Sequence, residues 1–256
     1  MILNISTNNL AKTAFQFFES ALLEYAVPGM IRVDGGGEFN HNERFMNSLD
    51  GQIRCLRGKS VHNVRIERLW RDCREKVLDK YITLFEYMER SNILDIQNDI
   101  HLYALHYVFL RRILRDLRHW QMAHNNHPIR GEKNKTPVQL WLSGALNNRH
   151  VRASAMQNLF FQSKQEREEL IRAFVERQQW EEPSNIRHVL SRVPAPLSIP
   201  EIERMVNLID PLAHSDCNGI DIYGSVVNYI LACINQEPLY AGPCGRNDAG
   251  SVYSRY

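Results

Sequence analysis

The sequence predicts an α/β protein, and three observations carry that reading. Residues 1–6 alternate weakly between apolar and polar side chains, as a short strand would. Apolar positions between Leu10 and Tyr25 recur at helical spacing, and Met30 to Val33 is again strand-like. A strand, a helix and a strand in that order form a parallel crossover unit.

The elements follow in chain order. Ser6-Thr7-Asn8-Asn9 supplies turn and capping chemistry. The helix behind it presents Leu10, Ala14, Phe17, Phe18, Ala21, Leu22 and Tyr25 on its apolar face, and Pro28-Gly29 stops it. After Val33 comes Asp34-Gly35-Gly36-Gly37-Glu38-Phe39, where three glycines can take positive φ without steric cost, which suits a sharp change of direction. Two readings of Asp34 stay open here. It starts an ordinary glycine turn, or it is a strand-end carboxylate left uncovered for a divalent cation and a phosphate.

His41 to Lys59 has no clear periodicity, with Asp50-Gly51 as a turn and Gln52 to Leu56 as a candidate strand. A long helix then runs to about residue 90, with one apolar stripe through Ile66, Leu69, Trp70, Cys73, Val77, Tyr81, Leu84, Phe85 and Met88. Asn92 and Asp95 break it, and residues 99–125 form a second long helix. Thr136-Pro137 caps a short helix expected to end near Trp141. Beyond lie a helix candidate at 150–178, a proline-rich break and an apolar segment from Ile220 to Ile234. The glycine-containing tail has a disordered character. The expected domains are a core over 1–145 and a mostly helical extension over 146–256.

Composition narrows the class. The 256 residues are 44% apolar and 23% charged, ordinary for a globular protein. No apolar run approaches the roughly 20 residues of a membrane span, and MILNISTNN lacks the basic start of a secretory signal. The cysteines, Cys55, Cys73, Cys217, Cys233 and Cys244, form no CxxC pair, so neither a disulfide framework nor a structural zinc site is expected, and a reducing compartment is the default. Net charge is +2, yet residues 1–150 carry 21 Lys+Arg against 16 Asp+Glu, while 151–256 carry 10 against 13. Residues 51–76 hold eight basic and three acidic side chains, and 111–135 hold seven and two. Such local excess suits a polyanion, though arginines on solvated helix faces account for the charge equally well.

Several motifs fall short. Arg57-Gly58-Lys59-Ser60 resembles the end of a phosphate-binding loop, but the glycine such a loop needs five residues earlier is Ile53. His119, His124 and His127 lack the spacing and acidic companion of a helical zinc site. No serine or cysteine sits in a nucleophile elbow.

Residues 58–72 are more informative. Glu67 lies in the first turns of the long helix, where the dipole favours an anion. Asn63, Arg71 and Arg74 share its face, with Arg68 beside it. A plain Glu67–Arg71 surface pair, worth about 0.3–0.5 kcal/mol, is the alternative.

Asp34 followed by Glu67 resembles the second half of the catalytic motif of DDE integrases and transposases. Arg32-Val33-Asp34-Gly35-Gly36-Gly37-Glu38-Phe39 is similar to the family's strand-end Asp-x-Gly-x-Glu/Asn-Phe element, and Ile66-Glu67-Arg68-Leu69-Trp70-Arg71 to its Val/Ile-Glu-Arg-x-x-Arg helix. Trp120, Asn125-Asn126-His127-Pro128 and Lys135-Thr136-Pro137-x-x-x-Trp141 resemble the segment that closes such domains. The wording from Gly58 to Trp70 is similar to integrase-core proteins of animal genomes. The resemblance covers about residues 1–142.

The resemblance implies an RNase H-like core lacking its first strand or strands, three carboxylates around Mg²⁺ or Mn²⁺, and metal-assisted phosphoryl transfer on DNA. Asp34 and Glu67 would be the second and third catalytic, metal-binding carboxylates. Asn63, Arg68, Arg71 and Arg74 would face DNA. A homo-oligomer, nuclear residence and no membrane follow as expectations. The first aspartate has no counterpart, since only Glu19 and Glu24 are acidic upstream of Asp34. Weak or absent activity is therefore expected, from truncation or degeneration, with non-catalytic nucleic-acid binding or a protein-interaction scaffold as alternatives. A missing strand would leave an open sheet edge.

Overall fold

The computed structural model describes residues 3–49, 51–58, 64–147, 163–177 and 196–234. Two compact units emerge, residues 1–79 with 116–192, and 80–115 with 193–256.

In the first unit, α1 spans Ala11–Tyr25, buries Phe15 and Leu22, and ends at Ala26. Leucine 10 provides no side-chain cap. Instead Ser6 Oγ accepts the Asn8 N–H at 3.2 Å and Asn8 Oδ1 accepts the Leu10 N–H at 3.1 Å. These local bonds shape the turn that leads into α1, and residues 3–6, where a strand was expected, form none.

The parallel pair exists with different partners. β1 (Ile31–Val33) runs beside β2 (Cys55–Arg57), with Ile31, Arg32 and Val33 opposite Cys55, Leu56 and Arg57. The crossover between them carries a 3₁₀ turn, Gly37–Phe39, and α2, Asn40–Ser48. Periodicity missed α2 because its buried apolar residues are only Phe45 and Met46. The candidate strand at Gln52–Leu56 is thus displaced to Cys55–Arg57. Asn47 Oδ1 receives the N–H groups of Arg54 and Cys55 at 2.8 and 3.2 Å, fixing where β2 begins.

α3 (Val64–Cys73) leads into a π-helical turn, Arg74–Leu78, and α4, Asp79–Arg90, begins behind it. The expected single stripe fails at its start. Cys73 and Val77 are buried, but Ile66 and Trp70 are 45% and 53% exposed. Only Leu69, among the described side chains of the first turns, continues the buried line even partly. α5 spans Asp99–Asn125, as the pattern required. α6 runs from Pro137 to Asn147, beyond the stop expected near Trp141. Thr136 and Gln139 exchange backbone and side-chain bonds at its start, a reciprocal cap.

α7 (Lys164–Arg177) lies within the range proposed for a helix over 150–178, whose first part falls outside the described residues. Its Ile171 and Phe174 join Phe15, Leu22, Val27, Phe45 and Met46 in one core. Phe174 lies 5.4 Å from the Phe15 ring centroid and 5.2 Å from that of Phe45. Arg167 Nη2 also donates to the Leu23 carbonyl at 2.8 Å, placing a cation at the negative end of α1.

The second unit packs α8 (Ile199–Leu208) and α9 (Ile220–Cys233) with residues 80–115. Phe85 meets Phe109 edge-on at 5.0 Å, and Tyr107 Oη donates to the Ile209 carbonyl at 2.7 Å. α8 begins where the proline-rich break ends. Ser198 and Glu201 form its capping box with Pro200 in the first turn, a start signal the prolines disguised. Cys55, Cys73 and Cys233 are free, whereas Cys217 is disulfide-bonded, against expectation. The tail beyond Ile234 lies outside the described residues.

Burial holds His41, His101, His106 and His124 below the usual imidazole range, with Arg44 adding to the effect at His41 and Asp95 opposing it at His101. His101 Nδ1 accepts the Asp95 N–H at 3.1 Å, which a protonated nitrogen cannot do. Below about pH 6.5 the unfolded chain binds more protons than the native one, so stability rises with pH there. The melting temperature is therefore expected to fall steadily between pH 7 and 5, and a flat profile would contradict these burials.

Candidate functional site

Asp34 follows β1 directly and is half-buried. Its Oδ1 accepts the Gly36 N–H at 3.2 Å, an Asx turn that holds the carboxylate at the strand end. The three glycines do not take positive φ. Among described glycines only Gly51 and Gly219 do, and Gly36 sits at φ −65°, ψ 140°. What Gly36 provides is room. A Cβ there would lie 2.3 Å from Glu38 Oε2, so the Glu38 carboxylate folds back over the glycine. Gly35 and Gly37 face open space and would accept a side chain.

Beyond β2 the chain reaches α3. Glu67 sits in its first turn and is exposed, as are Arg68, Arg71 and Arg74. With about 100° per residue, Glu67, Arg71 and Arg74 lie along one line of the helix and Arg68 a quarter-turn away. Arg74 is also engaged by Asp79, Nε to Oδ1 at 3.2 Å, with both side chains more than half exposed. Such a pair is worth at most about 1 kcal/mol, but it offsets part of the arginine's charge. Asn63 lies outside the described residues.

Across this unit, α5 closes near α3. Trp120 stacks on His124 at 5.4 Å, and the Asp72 carboxylate opposes the depression that burial imposes on His124. On the other side, Arg57 is tied to Glu43 at 2.6 Å, so it belongs to the scaffold between α2 and β2.

Hard carboxylate oxygens are the right donors for Mg²⁺ or Mn²⁺. Among the described residues, however, no three of His, Cys, Asp and Glu come together in a group that could hold a metal ion. The residues present therefore fall short of the expected centre. The basic excess of 111–135, read as suiting a polyanion, includes three cations within six positions at Arg130, Lys133 and Lys135.

The strand-end Asp34 and the helix-borne Glu67-Arg68-x-x-Arg71 both lie on the first unit. The Integrase core domain model matches residues 1–155, so the chain belongs to the integrase core family. Membership implies an RNase H-like fold and a family role in DNA integration, and these domains generally use divalent metal ions. Comparison with curated proteins and with solved structures gave no match. Among the described residues no helix is long and apolar enough to cross a membrane.

Proposed function

We infer that this chain is an integrase-core protein that binds DNA through α3 and has weak or absent strand-transfer activity of its own. The exposed line of Glu67, Arg71 and Arg74 is the observation that carries it. Arg71 is the principal phosphate contact, because Asp79 draws on Arg74. Asp34 and Glu67 keep the places of two catalytic carboxylates, and these 256 residues offer no aspartate upstream to complete three. The core extends over 1–145, with the remainder as its extension, and DNA as substrate makes the nucleus its place of work. Homo-oligomerisation follows from the family reading.

With Mg²⁺ or Mn²⁺ and a DNA duplex, the purified chain is expected to neither cleave nor join ends above background. Metal-dependent joining that Glu67→Gln abolishes would reverse this reading. Binding is expected to weaken steeply with salt, and Arg71→Ala should make the slope of log K against log salt shallower by about 0.9. Ile66 and Trp70, exposed on the same helix, favour a second reading as a protein-docking face. Retained protein capture without DNA binding would select it.

A further inference from the structure

The turn after α5 is a built, charge-bearing loop that the reading above does not use. Ile129 and Lys135 close it as an antiparallel bridge, with the Ile129 N–H on the Lys135 carbonyl at 3.0 Å. Inside, Glu132 N–H and Asn134 N–H both return to the Ile129 carbonyl, at 3.0 and 3.1 Å. The backbone satisfies itself, and the three basic side chains, Arg130, Lys133 and Lys135, are left exposed. Lys133 takes the left-handed conformation, φ 55°, ψ 38°, and Asn134 follows at φ 58°. Glycine or asparagine meets that demand more readily than lysine does, so a long cation stands where local geometry asks for a small residue. The one acid of the loop, Glu132, is half-buried.

The loop follows the end of α5, where His124 feels the charge of Asp72 on α3. Both cationic surfaces thus belong to one unit and flank the same helix end. Cations displayed on a self-satisfied loop suit a phosphate backbone, which positions a protein on a duplex without base readout.

We propose that the 129–135 loop is a second phosphate-contact surface for duplex DNA, separate from α3, with Arg130, Lys133 and Lys135 each meeting one phosphate. It rests on the reading that the chain binds DNA. The test measures binding of the full chain to a DNA duplex at several salt concentrations. It compares wild type, the triple variant Arg130→Gln/Lys133→Asn/Lys135→Gln, and Arg71→Ala. Asparagine is chosen at 133 because it tolerates the left-handed backbone. The triple variant is expected to make the salt slope shallower by about 2–3. Lys135→Gln alone, which leaves the left-handed pair untouched, should give about a third of that change.

Unchanged slopes in both loop variants, alongside a shallower slope in Arg71→Ala, would overturn the loop proposal and leave the α3 reading standing. The reverse pattern would keep the loop and remove α3. A wild type with no affinity for the duplex at low salt overturns both.

Discussion

Replacing Phe174 with alanine is expected to lower the unfolding free energy of the first unit by about 3–5 kcal/mol, the usual cost of emptying a buried aromatic site. The ring is in contact distance of Phe15 and Phe45, at centroid separations of 5.4 and 5.2 Å, so its loss opens a void among rings held by two other helices. Trp70, Trp120 and Trp141 belong to this unit and the other contains no tryptophan, so fluorescence-detected denaturant unfolding reads the right transition. Truncation after residue 145 removes Ile171 and Phe174 together and should give a chain that fails to fold cooperatively. A midpoint unchanged in Phe174→Ala would mean α7 does not complete this core.

In the second unit, Gly219→Ala is expected to cost about 2–4 kcal/mol, combining an unfavourable left-handed backbone with overpacking. Gly219 stands at φ +98° at the start of α9. A Cβ there would lie 3.0 Å from Arg112 Nε, 3.2 Å from its Cδ and 3.3 Å from the Phe109 ring. Arg112 cannot retreat cheaply, because it is buried and its Nη2 donates to the Ala213 carbonyl at 2.6 Å. Far-UV circular dichroism should register the loss while the tryptophan transition holds its midpoint. Equal stability of Gly219→Ala and wild type would show that Arg112 and the backbone shift together without penalty.

These two cases show what was legible beforehand. The long helices were readable because their apolar spacing persists over several turns, and α5 lies over the very residues the pattern marked. Gly219 was not singled out, while Gly35, Gly36 and Gly37 were. A run of glycines is conspicuous in a string of letters, but the need for one is set by backbone angle and by neighbours distant in sequence. For the same reason α2 escaped notice and the parallel partner of β1 was misassigned, since three-residue strands carry almost no periodic signal. Phe174 was not singled out, because its burial depends on Phe15 and Phe45, which are distant in sequence.

The site divides along similar lines. Asp34 and Glu67 were singled out by motif spacing, and they lie after a strand and in a first helical turn. The engagement of Arg74 by Asp79 depends on side-chain geometry, which spacing alone does not fix. So does the self-closed loop around Lys133.

The π-helical turn at Arg74–Leu78 takes up one extra residue without re-aiming the face that precedes it. A π turn holds one residue more than the α-helix around it, so losing one residue there would let the chain relax into unbroken α-helix. Cys73 and Val77 anchor this stretch in the core. With Val77 held, such a deletion would leave Glu67, Arg68 and Arg71 pointing nearly as they do, because the turn closes in either form. The exposed face and the buried anchors thus keep their phase across a single extra residue, and a one-residue deletion at 74–78 would shorten the helix without changing which way that face points.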